Sequence, residues 1–175
     1  LIGERVHDAT TRTLLGKPTP CVGRDVELST LSATLSEVVD DGTAAAVVLT
    51  GETGVGKSRV RHEWVKRAKT ERAELLVWQA QGDVTHQGAA FGIAAELVRD
   101  ACGVPFGASQ QEVREKLREV VAERVEAKDR QRIASRLSEM CGAPWETDID
   151  EGLKTARADA IVMGDQLRAA WEDFL

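Results

Sequence analysis

The octapeptide Gly51-Glu52-Thr53-Gly54-Val55-Gly56-Lys57-Ser58 constrains the fold more than any other part of this sequence. It matches the pattern G-x-x-x-x-G-K-[ST] in full, a glycine-rich loop that joins a buried strand to a helix. The uncharged run Ala44 to Thr50 precedes it, and a helix is predicted from Lys57 to Lys69. An apolar run without a polar face suits a parallel strand covered by helices on both sides. The motif and its flanks therefore predict an α/β fold.

Each part of this octapeptide suits the binding of a nucleoside triphosphate. The glycines let the loop curl so that backbone N–H groups point at phosphate oxygens, and the helix behind them directs its positive end at the same anion. Lys57 is expected between the β- and γ-phosphates, and the Ser58 hydroxyl on Mg²⁺. The sequence has no Asn-Lys-x-Asp base-reading motif, which favours ATP over GTP. The alternative interpretation is a glycine-rich turn without a ligand. The predicted binding residues are Gly51, Glu52, Thr53, Gly54, Val55, Gly56, Lys57 and Ser58.

The rest of the chain predicts one more strand and a series of helices. Residues 75–81 are a second apolar run, and apolar positions recur at helical spacing elsewhere. The first predicted helix is Asp25–Asp41, which ends at Gly42. The later ones are Phe91–Cys102, a helix that begins with a capping box at Ser109, a helix around Ile133–Cys141, and a helix from Glu151 to Phe174. Two prolines, Pro18 and Pro20, predict an extended lead-in over residues 1–24. We therefore predict a phosphate-loop NTPase domain over residues 25–175, with a strand–loop–helix unit at 44–69, a second strand at 75–81 and a helical region at 90–175.

Hydrolysis by such a domain needs an acidic residue at the end of another buried strand, where it holds Mg²⁺ or polarises water. Three segments are candidates: Val38-Val39-Asp40-Asp41, the second strand, and Ala160-Ile161-Val162-Met163-Gly164-Asp165. The first completes a helical stripe, and the second has no terminal acid. Helical spacing continues through the third, which predicts a helix there. The sequence therefore identifies no catalytic residue.

Composition narrows the choice of partners. The net charge is −6, from 23 basic and 29 acidic residues, and this argues against nucleic acid, whose backbone needs concentrated Lys and Arg. Three cysteines and three histidines are scattered without metal-ligand spacing, which predicts buried or half-buried thiols in a reducing compartment. No apolar run is long enough for a membrane span. We expect a cytoplasmic location, and the sequence is compatible with an oligomer.

The segment Val22-Gly23-Arg24-Asp25-Val26-Glu27-Leu28 carries a family resemblance. A hydrophobic-Gly-Arg-x-x-Glu element upstream of a phosphate loop resembles the signal-transduction ATPases related to AAA+ proteins, including STAND and Orc-like modules of bacterial regulators. The resemblance implies that Val22, Gly23 and Arg24 shape the adenine pocket. The alternative for Arg24 is a surface position beside Asp25 as the helix N-cap. The lead-in Leu14 to Arg24 resembles the junction between a serine/threonine kinase domain and its ATPase module, and Gly88 to Gly92 resembles the segment after the second strand.

The resemblance also implies that the domain is incomplete here. In this fold class, strands from later in the chain separate the loop-bearing strand from the second strand, and the acidic strand, sensors and helical lid follow beyond Leu175. Three functions are compatible with the sequence. The first is an ATP- and ADP-binding regulatory switch beside kinase and sensor domains. The second is a small-molecule or nucleotide kinase that uses the basic stretch Arg114 to Arg136, and the third is a non-hydrolysing structural module.

Overall fold

The computed structural model describes the backbone of residues 13–14 and 17–18 and the whole of residues 21–82, 90–147 and 150–175. It forms two compact units, Leu1–Val77 and Trp78–Leu175, and each is considered by itself. The rest of the lead-in, and Gly88 and Ala89 of the segment that follows the second predicted strand, lie outside the described residues.

The first unit contains a short strand pair and two helices. Strands β1 (Thr13–Leu14) and β2 (Lys17–Pro18) are antiparallel, with Thr13 opposite Pro18. Helix α1 spans Asp25–Asp41 and helix α2 spans Lys57–Glu71. The predicted helix Asp25–Asp41 is confirmed, and Gly42 ends it in the left-handed conformation at φ 62°, where glycine carries no steric cost. The two helices pack together, and Leu28, Val60 and Ala68 are buried.

The predicted α/β fold is wrong, because neither expected parallel strand forms. Residues 44–50 and 75–81 have no strand hydrogen bonding, and β1 with β2 is the only ladder among the described residues. The run before the loop is exposed throughout, with Val48 at 82%. A strand is stable only when its N–H and C=O groups pair with a neighbouring strand and its apolar side chains are covered. The described residues supply neither condition for 44–50.

Two amides of the second predicted strand, residues 75–81, donate to side chains of a helix instead of to a neighbouring strand. The amide of Gln79 donates to Asp100 Oδ2 at 2.9 Å, and the amide of Gln81 donates to Glu96 Oε2 at 2.8 Å. Both carboxylates lie on helix α3, Gly92–Ala101, four residues apart, which places them on one face. These two carboxylates therefore accept amides that a neighbouring strand would have bound in a sheet.

The second unit is a helical bundle around one central helix. It comprises α3 and four further helices, α4 (Gln110–Arg124), α5 (Arg130–Met140), α6 (Glu151–Ala156) and α7 (Ala160–Phe174). Helix α5 packs against α3, α4 and α7, and six consecutive residues, Ile133 to Ser138, are buried. Leu117, Leu137 and Phe174 belong to the same core. Buried apolar side chains from α3, α4, α5 and α7 form one cluster, so this bundle supplies the main hydrophobic core of the described residues.

Helix caps in this unit follow the local sequence. The capping box at Ser109 is confirmed, because Ser109 Oγ accepts the Glu112 amide at 3.3 Å and Glu112 Oε2 accepts the Ser109 amide at 2.7 Å. The single helix predicted from Glu151 to Phe174 is two helices, with a break between Ala156 and Ala160. Asp159 Oδ1 accepts the amides of Ile161 and Val162 at 2.8 and 3.3 Å. This N-cap starts a new helix although the apolar stripe continues through the break.

A buried arginine fixes the short helix α6. Arg136 on α5 is 5% exposed at its side chain and binds both carboxylate oxygens of Asp150, with Nη2 to Oδ1 at 2.7 Å. Its Nε also donates to Gln166 Oε1 on α7 at 3.0 Å. The Arg136 hydrogen bonds lower the pKa of Asp150 from 3.8 to about 2. Asp150 is in turn the N-cap of α6, accepting the Leu153 amide at 2.9 Å, so one ion pair joins three helices.

The cysteines are free thiols, as predicted. Cys21 is half-buried, and Cys102 and Cys141 are buried. Burial raises the pKa of Cys102 to about 12 and that of Cys141 to about 11. Since the thiolate is the reactive form, these two side chains behave as small apolar groups of the core.

Candidate phosphate-binding site

The loop between residue 50 and helix α2 depends on glycine at three positions. Gly54 and Gly56 have φ values of 85° and 96°, in the region that disfavours every residue with a Cβ. A Cβ at Gly51 would lie 3.0 Å from Cγ1 of Val55. Gly56 is also the N-cap of α2. The glycine spacing of the motif therefore suits the backbone conformation of this loop.

Backbone amides at this turn are available to an acceptor. The amides of Arg59 and Val60 both donate to the Gly56 carbonyl at 3.0 Å, which closes the first turn of α2. Within the described part of the chain, no group accepts the amides of Gly54, Gly56, Lys57 or Ser58. Unpaired amides at the positive end of a 15-residue helix are donors of the kind that an anion can accept.

Lys57 lies against the loop that it follows. Its Nζ donates to the carbonyls of Gly51 and Glu52, both at 2.8 Å. An ammonium group has three donors, so these two bonds orient the side chain and leave a third N–H for a ligand. Ser58 is exposed on the first turn of α2, one residue further on. The exposed side chains of Glu52, Thr53 and Val55 line the outside of the same loop.

Arg24 reaches this loop from the start of α1. Its Nη2 donates to the carbonyl of Val55 at 2.7 Å, and its Nη1 donates to Glu27 Oε1 at 2.7 Å. The Arg24 hydrogen bond holds the pKa of Glu27 below its usual value. Arg24, and not Asp25, occupies the N-cap position of α1. The structure therefore brings one member of the Gly-Arg element onto the phosphate loop.

The other members of that element are arranged differently. Val22 is 79% exposed, and Gly23 has a left-handed φ of 70°. Periodicity could not reveal the Arg24–Val55 contact, which spans 31 residues. The sequence does indicate the Arg24–Glu27 pair, because opposite charges three residues apart can pair on a helix.

The acidic segment 160–165 is helical, as predicted, because it begins α7. Asp165 is exposed there and accepts a hydrogen bond from Arg168 at 3.1 Å. Asp40 and Asp41 are exposed at the end of α1. No cluster of three His, Cys, Asp or Glu side chains that could hold a metal occurs in the part of the chain that the structure describes. None of its helices is long and apolar enough to cross a membrane.

The glycine conformations and the open amides are those expected of a phosphate-binding loop, and comparison with known families identifies the domain. A family model described as AAA ATPase domain matches residues 20–175. The chain belongs to this AAA ATPase family and is an ATPase-like nucleotide-binding domain. The resemblance to AAA+-related ATPases is thereby confirmed at the level of the family. No curated protein and no solved structure matches the chain.

Proposed function

We infer that this domain binds ATP with Mg²⁺ at residues 51–58 and acts as a nucleotide-dependent regulatory switch. The observation that carries the inference is the anion position at the start of α2, where open amides, a left-handed Gly56 and the oriented Lys57 occur together. Lys57 adds a point charge beside phosphates bound by these amides, and Ser58 offers its hydroxyl to Mg²⁺. Residues Val22, Gly23 and Arg24 are proposed to border the adenine.

The biological setting is proposed from the resemblance of the lead-in. Residues 14–24 resemble the junction that follows a bacterial serine/threonine kinase domain. We place the domain in a cytoplasmic signalling protein, where bound ATP or ADP biases the arrangement of kinase and sensor domains. A switch needs differential affinity between two arrangements and does not need fast turnover.

The small-molecule kinase alternative has less support. Such an enzyme needs basic side chains free to bind an acceptor phosphate, and Arg114 to Arg136 is the candidate stretch. Its arginines are already engaged inside the helical unit: Arg114 with the Pro144 carbonyl, Arg118 over Trp145, Arg124 over Trp78 and Phe174, Arg130 with the Val125 carbonyl, Arg132 with Asp129 and Asp173, and Arg136 with Asp150. Lys116 and Lys128 pair with Glu119 and Glu126.

Calorimetric titration of the chain with Mg-ATP tests the proposal. Charge-assisted hydrogen bonds contribute about 1.5–3 kcal/mol each, so Lys57→Ala should weaken binding by about 10- to 100-fold. Lys66→Ala is the matched control, because Lys66 is exposed on the same helix and lies two turns further on. Unchanged affinity in a folded Lys57→Ala protein would refute the assignment of the loop.

A further inference from the structure

The guanidinium of Arg24 joins the start of α1 to the phosphate loop across 31 residues. We propose that Arg24 is a positioning residue for phosphate binding, which fixes the Val55–Gly56 peptide so that the Gly56 N–H is presented to the phosphate. The inference rests on the proposed function. It gives Arg24 a role in holding the loop backbone, in addition to any contact with the base.

The peptide unit between Val55 and Gly56 is planar, so its carbonyl and its N–H cannot turn independently. In a trans peptide the C=O and the following N–H point in opposite directions. Arg24 Nη2 holds the Val55 carbonyl at 2.7 Å, so the Gly56 N–H points to the side away from Arg24. That N–H has no acceptor among the residues that the structure describes. Glycine at 54 and 56 leaves the backbone soft, and without Arg24 this peptide could rotate and turn its N–H away from a ligand.

The guanidinium is itself held in place by a second acceptor. Nη1 donates to Glu27 Oε1 at 2.7 Å while Nη2 donates to the loop. A planar fork with separate nitrogens can serve two acceptors in fixed directions, whereas lysine has a single nitrogen on a flexible stem. Glu27 lies in the first turn of α1, so the helix sets the direction of the Arg24 side chain. Both side chains are about one-third exposed, at 34% and 33%, and the expected effect is accordingly moderate.

The contact itself can be measured without any nucleotide. Only two Val-Gly pairs occur in the chain, Val22–Gly23 and Val55–Gly56. A sample labelled with carbonyl-¹³C valine and ¹⁵N glycine therefore gives two cross peaks in a carbonyl-selected amide spectrum, and Val55→Ala assigns them. Arg24→Ala should move the Val55 carbonyl resonance upfield, since the carbonyl loses its donor. The matched control is Arg67→Ala, which removes an arginine paired with Glu63 on α2 and should leave this peak in place.

The consequence for binding is measured with inorganic triphosphate, which has no base. Arg24→Ala should weaken triphosphate by about two- to tenfold, the range for one net hydrogen bond, and Arg24→Lys should restore little of it. Glu27→Ala should cause a smaller loss of triphosphate affinity. It should cause no further loss when Arg24 is already alanine, because Glu27 acts through Arg24. Arg67→Ala should bind like the wild type.

Each result decides between roles. Unchanged triphosphate affinity in Arg24→Ala with weakened ATP would overturn the inference and confine Arg24 to the base. Full recovery in Arg24→Lys would also overturn it, because charge alone would then suffice. A wild-type chain that binds neither ATP nor triphosphate would refute the proposed function. If the wild type does bind, results with the Arg24 variants test only the role of Arg24.

Discussion

Replacing Gly56 by alanine tests whether the loop conformation itself binds phosphate. Gly56 has a φ of 96°, and a Cβ added there would find no atom within 4 Å, so alanine would meet no clash. The cost is conformational, about 1–2 kcal/mol for a residue with a Cβ in the left-handed region. If bound phosphate requires this conformation, the same free energy is subtracted from binding. We expect Gly56→Ala to weaken Mg-ATP by about 5- to 30-fold.

Gly42→Ala provides the matched control. Gly42 is also left-handed, at φ 62°, and is equally uncrowded, but it ends α1 outside the loop. It should lower the free energy of unfolding by about 1 kcal/mol and leave the affinity for Mg-ATP unchanged. Gly56→Asn should fall between wild type and Gly56→Ala, because asparagine tolerates positive φ better than alanine.

The assay combines calorimetric titration with thermal unfolding of the same samples. Residues Gly51 to Val55 are exposed, so in the absence of ligand the loop can relax around alanine, and the unfolding temperature of Gly56→Ala should change little. A Gly56→Ala protein that binds Mg-ATP as tightly as Gly42→Ala would show that the left-handed turn at Gly56 is irrelevant to the ligand.

Three further predictions concern stability and turnover. The pKa of Asp150 is lowered from 3.8 to about 2, so its contribution to the free energy of unfolding is present above pH 3.8 and is lost as pH falls toward 2. Urea unfolding over this pH range should show the loss in the wild type and a flatter pH dependence in Asp150→Asn. Equal pH dependence in the two proteins would contradict this prediction. Ser109→Ala should lower the free energy of unfolding by about 0.5–2 kcal/mol without affecting nucleotide affinity, checked by urea unfolding and titration, whereas unchanged stability would show that the capping box contributes nothing. Phosphate release from ATP should be no faster than in Lys57→Ala, because the sequence identifies no catalytic acid; faster release would show that the chain contains one.

Local signals explain which elements can be predicted from the sequence. Helix α1 is predicted with correct limits because an apolar stripe and a terminating Gly42 coincide, and the capping box sets the start of α4. The break before α7 is missed because apolar periodicity continues through it while one aspartate, Asp159, supplies a new cap. Periodicity reports which face is apolar and does not report where a cap interrupts the helix.

The strand predictions are wrong for a different reason. Residues 44–50 have strand composition, but a strand also needs a hydrogen-bonding partner, and composition cannot supply one. For residues 79 and 81 the partners are carboxylates of α3, which no strand pattern anticipates. In the site, the motif predicts the loop residues, whereas the Arg24–Val55 contact depends on how α1 lies beside the loop. Tertiary contacts of this kind leave no periodic signal in the sequence.

Observing the Gly56 amide while Mg-ATP is added tests directly whether the nucleotide binds at residues 51–58. The carbonyl-¹³C valine, ¹⁵N glycine sample isolates this N–H in the Val55–Gly56 peak. Phosphate binding at the loop predicts a saturable shift of that peak with Mg-ATP and with inorganic triphosphate. The shift should be lost or weakened in Lys57→Ala and kept in Lys66→Ala. A Gly56 resonance that stays fixed while calorimetry detects bound Mg-ATP would place the nucleotide elsewhere and contradict the assignment of residues 51–58.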